Sequence, residues 1–236
     1  MQGEQVDRRW WILAGFAVLA AVIVGIILIS RSGGSDDSGS KTTASSEKKS
    51  GEKAACEEVE QPEPREESLP KPKMTTKKGE KVTAVVETNC GTFDIELATS
   101  EAPTIANSFA YLAEEGFYDE LTFHRIVPEF VIQGGDPEGT GTGGPGYEVV
   151  EAPPKNLKYT LGTVAMAKSG EAPPGASGSQ FYVVSGPQGE TLPPEYALVG
   201  HVTEGLNVVE AIGELGGPEE KPTQPVVIEK MSVERG

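Results

Sequence analysis

From residue 82 to the C-terminus the apolar residues come in short runs, and almost every run is bounded by glycine, proline or asparagine. Runs this short, with apolar and polar residues alternating, suit half-buried strands and leave little room for long helices. VTAVVET (82–88) and TFDIEL (92–97) flank Asn89-Cys90-Gly91, which reads as a hairpin. Further strand candidates are LTFHRIV (121–127), FVIQGG (130–135), GTVAMA (162–167), QFYVV (180–184), ALVGHV (197–202) and VVIEKMSV (226–233). Two stretches break the pattern. Pro103 opens a helix that puts Ile105, Phe109 and Leu112 on one face and closes at Gly116, and Leu206, Val209 and Ile212 mark a second that ends at Gly213. The expected fold is mainly β: a closed eight-stranded antiparallel β-barrel capped by two α-helices, in which closure removes free sheet edges.

The region before residue 82 is of a different kind. Trp10 to Ile29 is an uncharged run of 20 residues, bounded by Arg8-Arg9 and Arg31. As a helix it spans about 30 Å, the thickness of a bilayer's hydrocarbon core. A cleaved signal peptide is the alternative, but its apolar region is shorter and ends in a small-residue cleavage site, whereas ISRSGG follows here. The reading is a stub at 1–9, a transmembrane helix at 10–29, a flexible Ser/Gly/Lys/Glu/Pro-rich linker at 30–81 and the β domain at 82–236. The arginine pair before the span places the N-terminus in the cytoplasm and the domain on the extracytoplasmic side of the cell membrane. The linker has too few large apolar residues to repay the entropy of ordering.

Charge sharpens the division. Residues 1–81 hold 13 basic and 13 acidic side chains, residues 82–236 hold 7 and 23, so the whole excess of 16 negative charges lies on the domain. Such a surface repels phosphate backbones, which excludes nucleic acid as a partner. Two histidines (His124, His201) and two cysteines (Cys56, Cys90) do not make up a structural zinc set, and no metal is expected. Both histidines read as structural. Gly139-Thr140-Gly141-Thr142-Gly143-Gly144 formally matches G-x-G-x-x-G, but Pro145-Gly146 follows where a dinucleotide site requires a helix, so no nucleotide is expected. Cys56 and Cys90 are the only possible intramolecular pair; a bond between them is open to an extracytoplasmic domain, two free thiols being the alternative.

Phe123-His124-Arg125-Ile126-Val127-Pro128, followed by Phe130-Val131-Ile132-Gln133-Gly134-Gly135-Asp136, resembles the signature of cyclophilin-type peptidyl-prolyl cis-trans isomerases. Gly141-Thr142-Gly143-Gly144, Val164 to Ala167, Gly178 to Val184 and Leu198-Val199-Gly200 follow in the family's order, so the resemblance covers about residues 82–235. With the N-terminal span it implies a membrane-anchored, bacterial-like form that isomerises X-Pro bonds in folding extracytoplasmic proteins. It assigns catalysis to Arg125, Phe130 and Gln133, with Arg125 bonding the substrate carbonyl and favouring a pyramidal amide nitrogen. Val131, Tyr182 and Leu192 complete the proline pocket with Tyr196 at its rim. Ala167, Lys168, Ser169 and Gln180 hold or support the substrate chain, and Gly141, Thr142, Gly143 and Gly144 shape a second subsite.

Rotation about an amide requires no nucleophile, proton transfer or cofactor, and none is expected. A 10⁵-fold acceleration corresponds to about 7 kcal/mol of differential transition-state binding. Partners are proline-containing polypeptides and, through one helix, a membrane; a monomer is expected. Thr191 and Tyr196 stand where many eukaryotic relatives carry Trp and His, which implies weak binding of the cyclic peptide cyclosporin. Val131 in place of the commoner Met stiffens one wall of the pocket. The alternative function is a non-catalytic proline-peptide binding or chaperone module that uses the same groove.

Overall fold

A computed structural model describes residues 55–236; the stub, the expected anchor at 10–29 and the first part of the linker lie outside them. No helix among the described residues is long and apolar enough to cross a membrane. The first hairpin forms as its sequence predicts: β1 (Val82–Thr88) and β2 (Gly91–Leu97) pair antiparallel with Thr88 opposite Gly91. Gly91 sits at φ +117, a backbone region that a side chain disfavours, which is why glycine ends the turn.

Helix α1 (Pro103–Glu114) starts on its proline, and Ala102 before it offers no capping side chain. The carboxylate of Glu151 takes that role from a distant loop, accepting from the backbone N–H groups of Thr104 (2.8 Å) and Ile105 (3.1 Å). Helix α2 (Leu206–Gly213) is the second expected helix. The remaining strands are β3 (Leu121–Thr122), β4 (Arg125–Val127), β5 (Val131–Gly134), β6 (Val149–Val150), β7 (Thr163–Met166), β8 (Ala176–Ser177), β9 (Phe181–Val184), β10 (Leu198–Glu204) and β11 (Val227–Arg235).

Two expectations are corrected here. The run 121–127 is not one strand: β3 pairs with β11 and β4 with β5, and the change of partner takes place across Phe123 and His124. Nor is there a closed eight-stranded barrel. One curled sheet of nine strands runs in the order β3-β11-β1-β2-β10-β7-β9-β5-β4, all pairs antiparallel, with β6 and β8 as a separate pair. Its two end strands are consecutive pieces of one chain segment, joined by two residues. They do not bond to each other because the chain there turns inward: Phe123 is fully buried and its N–H goes to the Val226 carbonyl.

The curl encloses the main core. Phe109, Tyr118, Phe123 and Phe181 form an aromatic cluster with ring centroids 5.0 to 5.9 Å apart, mostly edge to face. Phe181 is therefore core, on the opposite face of β9 from Tyr182.

The described part of the expected linker, residues 55–81, lies along the domain as an extended strap. Cys56 is bonded to Cys90 in the β1–β2 turn, and Glu57 exchanges hydrogen bonds with Asn89 through its N–H and carbonyl. Further along, Arg65 bonds the carbonyls of Phe117 and Asp119, and Asn107 on α1 binds the backbone of Lys73, Thr75 and Thr76. Composition misses this because the strap is held by hydrogen bonds of its backbone and of Arg65 and by a cross-link, with Cys56 and Leu69 as its apolar residues packed on the core.

The cross-link spans 34 residues in sequence. In the chain-entropy account, a loop of that size stabilises by roughly 3–4 kcal/mol. Replacing both cysteines by serine is expected to lower the unfolding free energy by about that amount, read as a lower denaturant midpoint.

Candidate active site

The site grows out of strand register. Across β4, β5, β9 and β7, Arg125 lies opposite Gln133, Gln133 opposite Tyr182 and Tyr182 opposite Ala165. Side chains alternate between the faces of a strand, so directly paired residues share a face. Ile126, Ile132, Val164, Phe181 and Val183 accordingly point into the main core. Val131, Ala165, Tyr182 and Val184 point the other way and form a second apolar cluster with Tyr159. Phe130, Ala167, Leu192 and Tyr196 pack against that cluster while half-buried. The residues predicted for a proline pocket are thus brought together on one face.

Loops set the rim. Phe130 closes the turn from β4 to β5, its N–H bonding the Val127 carbonyl, with Pro128 and Glu129 as the central residues. Glu129 holds φ +60, a position that favours glycine in such a turn. Gly186 lies beneath it, and a Cβ there would come within 2.3 Å of the Glu129 backbone, so glycine is required for the turn to seat. Tyr159 anchors the opposite rim. Its hydroxyl donates to the Tyr196 carbonyl (2.7 Å) and accepts from the Tyr196 N–H (3.0 Å). Burial pushes its pKa up to about 12. The Tyr182 ring stands edge to face with Tyr196, 5.5 Å between centroids. Its hydroxyl is buried without a hydrogen-bond partner, and burial raises its pKa well beyond the usual phenol range.

Beside this apolar patch runs a polar relay. Arg125 Nη1 donates to Gln133 Oε1 (3.3 Å), Gln133 Nε2 to Gln180 Oε1 (3.1 Å), and Gln180 Nε2 to the Gly143 carbonyl (3.0 Å). Each amide spends one end on each neighbour, which orients all three side chains. The relay runs into a cleft of about 750 Å³ whose lining includes Gln133, Gly141, Thr142, Gly143, Gly144, Ala167, Lys168, Ser169 and Gln180. Asp136 shapes the glycine loop by accepting from the N–H groups of Glu138 and Gly141. The Lys168 side chain is only 5% exposed; its ammonium lies 3.5 Å from Glu195, donates to the Ala172 carbonyl and sits 5.6 Å from the centre of the Tyr196 ring. The charge is therefore spent on fixing the loop. Cys56 and Cys90 lie in the strap's anchor and line neither cleft nor patch.

Sequence reasoning misses one charged neighbour altogether. Glu220, from the short helical turn Pro218–Glu220 between α2 and β11, accepts from Arg125 Nε at 2.6 Å. Glu219 and Glu220 both adopt left-handed φ, +58 and +61, at a cost on the order of 1–2 kcal/mol each. The contact joins residues 95 positions apart, and no local pattern marks it. Asp136 was legible in principle, since an Asp ahead of closely spaced glycines is a common way to cap a turn.

The model of the family described as cyclophilin type peptidyl-prolyl cis-trans isomerase/CLD matches residues 83–233. Peptidyl-prolyl cis-trans isomerase-like 1 from Neurospora crassa is 39% identical over 155 residues, 64% of this chain and 93% of that protein. Its namesake from Gibberella zeae is 38% identical over 154 residues, 63% of this chain and 93% of that protein. Among solved structures, a Cryptosporidium parvum cyclophilin type peptidyl-prolyl cis-trans isomerase, crystallised in the presence of the dipeptide Ala-Pro, is similar with a TM-score of 0.60 and 28% identity. That match covers 65% of this chain and 99% of the other.

His124, beside Arg125 at the seam of the sheet, has both ring nitrogens buried without a hydrogen-bond partner. Burial holds its pKa below the ordinary value of 6.5, outweighing the nearby Asp136 carboxylate. The imidazole is thus neutral in the folded protein where the unfolded chain already takes a proton. Stability is expected to be unaffected by this group above pH 6.5 and to fall as pH drops below it, by up to about 1.4 kcal/mol per pH unit until the folded pKa is reached. Denaturant unfolding between pH 7 and 5 checks this, and a His124→Gln variant should show a flatter profile over that interval.

Proposed function

The chain belongs to the cyclophilin-type peptidyl-prolyl cis-trans isomerases, and from that premise we propose that Arg125 drives the isomerisation over a proline seated on the Phe130–Val131–Tyr182–Leu192 patch, in an enzyme tethered at the outer face of a membrane. The observation that carries the catalytic part is the polar relay: a half-buried guanidinium held at two of its nitrogens, at the border of an apolar surface made by the same strands.

The chemistry follows from the amide. Conjugation gives an X-Pro bond a barrier that keeps isomerisation in the range of tens to hundreds of seconds, and rotation must break that conjugation. In the transition state the proline nitrogen becomes pyramidal and carries a lone pair. Arg125 is always charged and presents several N–H donors on a planar group. With Nε committed to Glu220 and Nη1 to Gln133, its remaining N–H groups are the donors for the substrate carbonyl and the developing lone pair. Such a preorganised donor lowers the barrier because it need not reorient as the bond turns. Phe130, Val131, Tyr182 and Leu192 fix the proline ring, while the part of the chain before the proline stays free to rotate toward Gln133 and the cleft. Gly141 to Gly144 and the segment Ala167–Ser169 then receive the residues preceding the proline.

The cellular setting rests on sequence. The uncharged run 10–29 behind Arg8-Arg9 supports a membrane anchor with the domain outside the cytoplasm, and the Cys56–Cys90 bond is consistent with an oxidising compartment. Clients are then secreted or surface polypeptides passing through slow X-Pro steps as they fold.

Isomerisation of an X-Pro peptide by the full chain, followed against Arg125→Ala, tests the catalytic reading. A loss of roughly 100-fold or more in kcat/KM is expected for the variant, the usual magnitude for removing one preorganised donor. A variant as fast as the parent would refute the role given to Arg125. The topology is checked by adding protease to intact cells. Loss of the domain with retention of an N-terminal tag is expected, and full protection of the domain would reverse the orientation.

A further inference from the structure

The strap lies outside the residues matched by the family model, which begin at 83, yet it is bonded to the loop that shapes the substrate cleft. The Arg65 N–H donates to the Pro137 carbonyl at 2.8 Å, and the Leu69 N–H donates to the Pro145 carbonyl at 2.9 Å. These two carbonyls stand at opposite ends of the loop 138–144, so the strap grips the loop on both sides. Just beyond, Lys71 Nζ donates to the Glu148 carbonyl at 2.9 Å. Ser68 lies so close to Gly146 that a Cβ on the glycine would collide with its hydroxyl.

The strap is in turn anchored at places outside the loop. One end is tied by Cys56–Cys90 and by Asn89, whose side chain also bonds the backbone of Pro225 and Val227. The middle is tied by Arg65 to the carbonyls of Phe117 and Asp119 after α1. The other end is tied to Asn107 on α1, where Thr76 is buried. Within the loop itself, Gly139 and Gly141 have positive φ and no atoms near an added Cβ, so packing does little to hold them. What holds the loop from inside is Asp136, and what holds it from outside is the strap together with Gln180 on the Gly143 carbonyl.

We propose that the strap, through Arg65 and Leu69, positions the loop 138–144 and thereby sets the affinity of the cleft for the substrate residues preceding the proline. The inference rests on the assignment of Gly141 to Gly144 as a substrate subsite. Gly143 is where the loop meets the relay, because its carbonyl receives Gln180, whereas Arg125 has its own partners in Glu220 and Gln133. A loop displaced by loss of the strap loosens the far end of that relay, while Arg125 remains held by Glu220 and the proline patch by its own strands. Arg65 and Leu69 are positioning residues, since neither lines the cleft.

Two variants of the full chain separate this role from general stability. Leu69→Pro deletes the N–H that grips Pro145, with Leu69→Ala, which keeps that N–H, as the control for the side chain packed on the core; Cys56→Ser with Cys90→Ser releases the strap's anchor instead. Each is assayed with a short substrate, an N-acetylated Ala-Pro peptide, and with a longer one that carries three further residues before the alanine. For both variants KM for the long peptide is expected to rise about fivefold, the equivalent of one net hydrogen bond, with kcat and the short-peptide kinetics unchanged. Equal effects on both peptides, or none on either, would overturn the proposal, because a merely structural strap has no reason to distinguish them. Failure of the underlying subsite assignment looks different: the unmodified protein would then handle the long and short peptides with the same KM.

Discussion

The structure depends on a strip of antiparallel strands, β7, β9 and β5, that is apolar on both faces. Buried sheets usually have a helix or a second sheet on each side. Here the inner face has the curled sheet and α1, whereas the outer face is covered by the buried ring of Tyr159 and by half-buried side chains from Phe130, Leu157, Ala167, Leu192 and Tyr196. An apolar patch covered by loops at its rim is suited to a small ring such as proline, and register puts it beside Arg125 and Gln133 without any separate device. The proposed isomerase site is, in this sense, the second face of the sheet's own core.

That arrangement explains the placing of the charged group. Arg125 occupies β4, the end strand of the sheet, with its partner strand on one side only. A guanidinium further in would be buried at a large desolvation cost, and one on a loop would have to be ordered when substrate binds. At the end strand it stays partly solvated while two neighbours fix it. Glu220 reaches it from a strained turn, and local strain of this kind persists where the surrounding structure over-determines it. Gly216 next to that turn fits against Pro128 and the Ile126 carbonyl, where a Cβ would come within 2.5 Å, so β4 and the Glu220 turn pack as one unit.

Much of this was legible in the sequence. Short alternating runs marked the strands that carry Arg125, Gln133 and Tyr182, whose roles the family resemblance implies, and the hairpin at Asn89-Cys90-Gly91 and both helices lie where punctuation by Pro and Gly puts them. The strand run at 121–127 was misread as one strand although its alternation slips at His124-Arg125, where the apolar positions pass from Leu121 and Phe123 to Ile126 and the bonding partner changes. Partner identity is a long-range property that no local pattern carries. The strap was misread for a related reason. Composition measures how much apolar surface a segment can bury, and residues 55–81 bury little, but their backbone N–H groups find carbonyls on the domain and one cysteine finds another.

The sequence by itself determined the periodicity of the strands and the partition of charge between the N-terminal region and the domain, which follow from spacing and composition along the chain, and its ordered motifs carried the family resemblance that implies the residues around the proline patch. Only the tertiary structure decided that the sheet curls through nine strands with its ends unbonded, that Glu220 and Gln180 hold Arg125 and Gln133 from positions far along the chain, and that the strap grips the cleft loop at Pro137 and Pro145. These depend on which distant segments meet, and that is set by the simultaneous packing of the whole core.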